Sequence, residues 1–272
     1  MVTDYPGTIG LRFNFINGGT SGLMSNVKIR KAISYSIDRE EMIDAVYGRY
    51  NPAYSYVAPA ITFNGSSYRD QVGEIMEDEY NEYVGDPDKI VALFQEGLDE
   101  LGVETPIEDI TLTYLTSGST TEVQAEREYI QQSLEETLGL TVELSVAGDT
   151  SLFIADRNEG NYDFFLGGWY SDYNDPLDFL YTNYTDAYGM SFGGYSNTDY
   201  DALADQLVGE TDMDKRLDIY KQMEQILLLD DCAFAPIYYA TKQVLLQNWV
   251  KDYRTSSFGA SAEFIWTYID GK

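Results

Sequence analysis

The alternation of strand and helix between Ile110 and Gly168 constrains this chain more than any other feature. Ile110–Leu115 reads as a strand, Glu122–Leu138 as a helix stopped by Gly139, and Leu140–Val146 as a strand with Leu140, Val142, Leu144 and Val146 on one side. A short helix near Asp149–Arg157 follows, then the apolar strand Tyr162–Gly168. Strands that alternate with helices build an α/β sheet with helices on its faces.

The flanking segments fit such a sheet. Thr8–Ile16 alternates, with Ile9, Leu11, Phe13 and Phe15 pointing one way, as in a strand with one buried face. Asn26 is placed to cap a helix running to about Ser36. Asp38 restarts a helix, with Glu41 three residues on in a capping-box spacing and Gly48 at its end. Asp86-Pro87 opens another, whose inner face is Ile90, Phe94, Leu98 and Leu101. Helices are also expected after Asp175-Pro176, near Asp199–Val208 and near Met213–Leu229, and a last strand over Ala235–Leu246. Tyr50–Tyr83, rich in Tyr, Asn, Gly and Ser, reads as a long irregular segment that is either functional or wraps the core.

Charge and residue usage exclude several classes of function. The 46 acids against 17 bases leave a formal charge of −29, the wrong sign for a nucleic-acid binder. The absence of histidine removes the commonest general base and imidazole metal ligands. The single cysteine, Cys232, forms no internal disulfide and no thiolate zinc site, and its apolar flanks suggest a buried thiol. The acidic run Glu77, Asp78, Glu79 and Glu82 lacks the spacing of a calcium loop and reads as a solvated face. No cofactor or metal is expected. The start, MVTDYPGTIG, has neither the basic residues nor the apolar run of a secretion signal, so the chain is expected to be either cytosolic or a piece of something longer. No run of about 18 apolar residues is present to span a membrane.

The stretch Gly168–Pro176, GWYSDYNDP, combines position with chemistry. Ligands of open α/β sheets sit beyond the carboxyl ends of strands. Asp175 has a structural use as the cap before Pro176, which leaves Asp172 free beside Trp169 and Tyr170. A carboxylate next to flat aromatic walls suits an ammonium group. Spacing alone leaves two readings open, a cation-binding carboxylate and a turn that merely caps the helix.

Four stretches carry a resemblance to the peptide-binding receptors of ABC importers, the oligopeptide- and dipeptide-binding family of large solute-binding proteins. Val27–Arg39, VKIRKAISYSIDR, resembles the family's helix pair, and Gly48–Pro59, GRYNPAYSYVAP, its following loop. Trp169–Pro176 is similar to the W-x-x-D-x-x-D-P pattern, and Met223–Tyr239, MEQILLLDDCAFAPIYY, to a helix followed by A-x-x-P-[IL]-Y. The resemblance implies a type II periplasmic-binding-protein lobe with a mixed sheet flanked by helices. It implies a non-catalytic, monomeric receptor outside the cytoplasm, tethered through a region absent from this chain. In it Asp172 would pair with a peptide's free α-amine, Trp169 and Tyr170 would line the groove, and an ABC permease in the membrane would be the partner. Residues 1–10 would be a hinge remnant, 11–235 the second ligand-binding lobe, and 236–272 a hinge-crossing strand and a segment returning to a first lobe. One departure is the neutral strand around Leu166, where some oligopeptide binders carry a base for the peptide carboxylate. Two other readings stand beside this one: a related receptor for nickel chelates, sugars or signalling peptides, and a glycoside hydrolase using Asp172 and Asp175.

Overall fold

The computed structural model describes residues 2–187, 192–258 and 262–271. Met1, residues 259–261 and Lys272, which belong to the expected hinge segments, lie outside the described residues. The strands are β1 (Val2–Phe13), β2 (Asn51–Pro52), β3 (Thr62–Phe63), β4 (Ser66–Ser67), β5 (Thr111–Ser117), β6 (Thr141–Ala147), β7 (Phe164–Tyr170), β8 (Phe234–Gln243), β9 (Val250–Lys251) and β10 (Tyr268–Ile269). Six of them form one sheet in the order β2-β8-β1-β7-β5-β6, while β3 pairs with β4 and β9 with β10. β5 runs parallel to β6 and β7, and β1 runs antiparallel to β7 and β8, so the sheet is mixed as expected.

The helices begin where polar side chains satisfy the first free backbone N–H groups. Asn26 caps α1 (Val27–Tyr35), accepting from the Lys28 and Ile29 amides. Asp38 caps α2 (Arg39–Met42), and a turn of π-helix carries the chain on to Gly48. α3 (Tyr68–Val72) and α4 (Glu77–Tyr83) lie inside the segment read from sequence as irregular. Short helices of one or two turns give too little periodicity to be seen, and Glu77, Asp78 and Glu79 of the acidic run prove to form the first turn of α4, where negative charge favours the helix dipole. Asp86 caps α5 (Pro87–Leu101), Thr120 caps α6 (Thr121–Leu138), and Asp149 caps α7 (Thr150–Glu159). Asp175 caps α8 (Pro176–Leu180), Asn197 caps α9 (Thr198–Gln206), and Asp212 caps α10 (Met213–Gln225).

Both faces of the sheet are covered. On one face Leu11, Phe13, Ile29, Ile33, Phe94, Leu98, Ile130 and Leu134 form a core with α1, α5 and α6. On the other, Tyr56, Phe179, Leu180, Tyr200, Tyr220 and Phe234 form a second core, and Phe153 of α7 packs on Leu115, Tyr162 and Phe165. β1 is therefore a central strand with both faces buried, not one, because β7 and β8 flank it and Thr8 and Arg12 are buried with the apolar residues. Phe15 and Ile16 fall beyond its end. Val146 and Leu101, expected on inner faces, are exposed, Val146 because β6 is the edge strand. Cys232 is buried as expected.

Polar groups inside the molecule tie distant segments together. Arg39 is completely buried: its guanidinium donates to the carbonyls of Ala53 (3.1 Å) and Pro236 (2.7 Å) and to the Ser34 hydroxyl (3.1 Å), and lies 4.1 Å from the centre of the Tyr80 ring. Arg30 donates to the carbonyls of Met24, Asp231 and Cys232. Glu224 of α10 accepts from the Tyr56 and Val57 amides, from the Tyr68 hydroxyl and from Arg69, so the wrapping segment is fastened to that helix by a buried ion pair. Asp163, also fully buried, accepts from Thr20, from Ser21 and from the Thr113 amide.

Two consequences are measurable. Replacing Arg39 with Met leaves several buried carbonyls without donors, and each orphaned polar group costs about 1–3 kcal/mol. The expected loss in denaturant unfolding is therefore about 3 kcal/mol or more; a variant as stable as the parent would show that these bonds carry nothing. The second concerns Glu126 of α6, which accepts a hydrogen bond from the Tyr47 hydroxyl. Burial pushes its carboxyl from the ordinary 4.5 up to about 7, the Tyr47 bond opposing and the Glu122 charge adding to the rise. Between those values the folded chain holds the Glu126 proton and the unfolded chain does not, so stability falls as pH rises through that window. Relative to Glu126→Gln, the parent should lose on the order of 3 kcal/mol between about pH 4.5 and 7. Denaturant midpoints of the two proteins that run parallel across that range would contradict the shift.

Candidate functional site

β7 continues two residues past the expected end, so Trp169 and Tyr170 belong to the strand itself. The glycines before them allow it. A Cβ on Gly168 would lie 2.0 Å from the Thr8 carbonyl oxygen of the neighbouring β1, so only glycine permits that approach. Successive side chains of a strand point to opposite faces. Trp169 accordingly packs with the α8–α10 side, whereas Tyr170 turns to the other face, its ring 5.8 Å from that of Tyr5.

Beyond Tyr170 the chain turns sharply. The Ser171 amide donates to the Pro6 carbonyl (2.8 Å) and its hydroxyl to the Tyr173 carbonyl (2.6 Å). Three carboxylates follow at three-residue spacing, and their uses differ. Asp175 accepts from the Leu177 amide and from the Tyr220 hydroxyl, both at 2.8 Å, as helix cap and tertiary link. Asp178, buried, accepts from the Trp169 indole N–H at 2.8 Å and from the Asp172 amide at 2.9 Å. Asp172 is exposed, and among the described residues no donor is hydrogen-bonded to its carboxylate. Asp178 thus fixes both the indole and the Asp172 backbone while leaving the Asp172 side chain open.

These residues line one cavity of about 190 Å³, formed by Trp169, Asp172, Tyr173, Asp178, Tyr181, Thr182 and Ala187. The structure brings Trp169 and Asp172 together and places Tyr170 elsewhere. Tyr170 lines a second opening of about 530 Å³ with Tyr5, Tyr50 and Ala240–Gln243 of β8. Asp175, offered in the glycosidase reading as a partner for Asp172, spends its Oδ1 on the α8 cap and on Tyr220. Sequence reasoning missed Asp178. Its only local signal is a second acid three residues after Asp175, and its role depends on the strand turning back over α8.

The site therefore offers an open carboxylate on a fixed backbone, an indole wall and a hydroxyl-rich rim, which together suit a cationic group with apolar surface around it. Comparison with known proteins shows the family. Residues 2–191 match the model of the "Bacterial extracellular solute-binding proteins, family 5 Middle". The chain is similar to the oligopeptide-binding protein OppA of Bacillus subtilis, 30% identical over 234 residues, covering 84% of this chain and 39% of that protein. It is likewise similar to the dipeptide-binding protein DppE of the same organism, 30% identical over 249 residues, 91% of this chain and 42% of that protein. The structure of Listeria monocytogenes OppA bound to peptide superposes with a TM-score of 0.79 at 30% identity, covering 100% of this chain and 50% of that one. The chain spans about two fifths of the length of these curated relatives.

Proposed function

This chain belongs to the bacterial extracellular solute-binding proteins of family 5, and on that premise we propose that it is the second ligand-binding lobe of a peptide receptor serving an ABC importer. Residues 11–235 form the lobe, and β8 with the segment to Lys272 crosses the hinge towards a first lobe. The receptor works outside the cytoplasm, tethered through its N-terminal region, and captures a peptide between two lobes before docking on the permease. The peptide's free α-amine pairs with Asp172. Trp169 packs on the first residue, and the strand end around Tyr170 offers backbone groups to an extended ligand.

A single observation carries this reading: of three carboxylates in one turn, two are consumed by the fold and the third, Asp172, stands open beside Trp169 at the rim of a cavity. Closure of a first lobe over that rim would exclude water and strengthen an ammonium–carboxylate pair. Binding is differential, so the same pair drives closure only as far as it is better made in the closed state.

The test is Asp172→Asn in the full-length receptor, titrated calorimetrically with short peptides. Removing one partner of a buried charge pair is expected to weaken binding by about 2–5 kcal/mol. An N-acetylated peptide should bind the parent as weakly as the free peptide binds the variant. Unchanged affinity in Asp172→Asn would remove the carboxylate from the mechanism.

A further inference from the structure

On the far side of β7 from Asp172 lies an opening of about 530 Å³, larger than the cavity of about 190 Å³ beside Asp172. The opening's volume falls in the range of small-ligand pockets, though it is an open concavity in which Tyr170 stays half exposed. Its walls are the rings of Tyr5, Tyr50 and Tyr170, and its floor is Ala240–Gln243.

The fold makes room for it on purpose-built backbone. Along β1 and β8 the pairing is Asp4 with Thr241 and then Thr8 with Tyr239. Three residues of β1, Tyr5, Pro6 and Gly7, thus face the single residue Ala240. A bulge of this kind bends the strand and re-aims a side chain, and bulges collect beside binding sites. Here it swings Tyr5 towards Tyr170, whose ring lies over Gly7: a Cβ on Gly7 would come within 2.3 Å of it.

One wall is also held in place. Tyr50 stacks on Tyr238 with centroids 4.5 Å apart and planes 2° from parallel, and Tyr47 packs against both at 4.9 Å. Arg49 covers Tyr50 from outside at 4.6 Å and is itself paired with Glu122. Lys242 stands 5.9 Å from the Tyr5 ring centre. Tyr50 is thus held before any ligand arrives and loses little entropy on binding, and three rings around one opening favour a flat apolar group.

The two openings are separate but flank the same strand end, Trp169 and Asp172 lining one and Tyr170 the other, so an extended ligand held at that end passes both. We propose that this tyrosine-walled pocket receives an aromatic side chain of the bound peptide and makes the receptor selective for peptides that carry one. The inference rests on the peptide-receptor reading and adds to it the class of ligand preferred.

The experiment titrates the full-length receptor with trialanine and with the three tripeptides in which Phe replaces one Ala. At one position Phe should tighten binding about tenfold or more, as burial of an aromatic side chain does. Tyr5→Ala should erase most of that gain while trialanine still binds as it does to the parent, which also reports an intact fold. Tyr5→Phe should keep the gain. If every Phe peptide binds within about twofold of trialanine, or if the gain survives Tyr5→Ala, the pocket has another occupant, such as the first lobe, and the inference fails while the receptor reading stands. If none of the peptides binds the parent, both fail.

Discussion

A guanidinium with no exposure to water, that of Arg39, is the constraint around which this molecule is arranged. A buried charge is tolerated only where dipoles replace its hydration. Here the replacement comes from backbone carbonyls of segments far apart in sequence: Ser34 and Ile37 at the end of α1, Ala53 in the wrapping segment, and Pro236 in β8. Any arrangement that separates those segments strands the charge. The cation therefore selects one packing of helix pair, wrap and sheet against looser alternatives that apolar burial alone would accept.

Arg39 is one of four buried arginines among the described residues, and the others act in the same way. Arg30 grips the carbonyls of Asp231 and Cys232, where α10 gives way to β8. Arg12 spans Asn183 and Tyr56 beneath the sheet. Arg69 meets Glu224. The basic residues of the VKIRKAISYSIDR stretch, which carry much of the family resemblance, thus include two structural fasteners rather than ligand contacts. Their connection to function runs through β8: they fix its entry and its middle, β8 fixes β1, and β1 fixes the rim of β7 on which Asp172 stands.

What could be read in the sequence is what depends on near neighbours. The helix starts at Asn26, Asp38, Asp86, Asp149 and Asp175 follow from short side chains accepting from amides two or three residues on. The strand–helix order between residues 110 and 168 and the availability of Asp172 were legible for the same reason. What was not legible depends on partners a long way off. Arg12 looks like the solvent side of an alternating strand until Asn183, 171 residues away, receives it. Nothing local announces that Asp178 would reach back to the Trp169 indole, or that β1 would bulge opposite Ala240. Trp169 and Tyr170 look like one aromatic wall in sequence, yet the two-residue period of a strand sends them to different faces once β7 extends through both.

That division has a mechanical meaning. In the proposed receptor, a strand end that projects two adjacent aromatic residues to opposite faces, followed by a turn that presents a carboxylate, would let one short segment address two separate features of a ligand. The precision of the arrangement comes from the neighbouring acids Asp175 and Asp178. Asp178 accepts from the Trp169 indole and the Asp172 amide, and Asp175 accepts from the helix start, so these donors are already satisfied. An acid placed alone in such a turn would cap the helix, since amide donors there are closer than any ligand. Three acids at three-residue spacing leave one to spare, and the spare one faces outward because both structural posts are already filled.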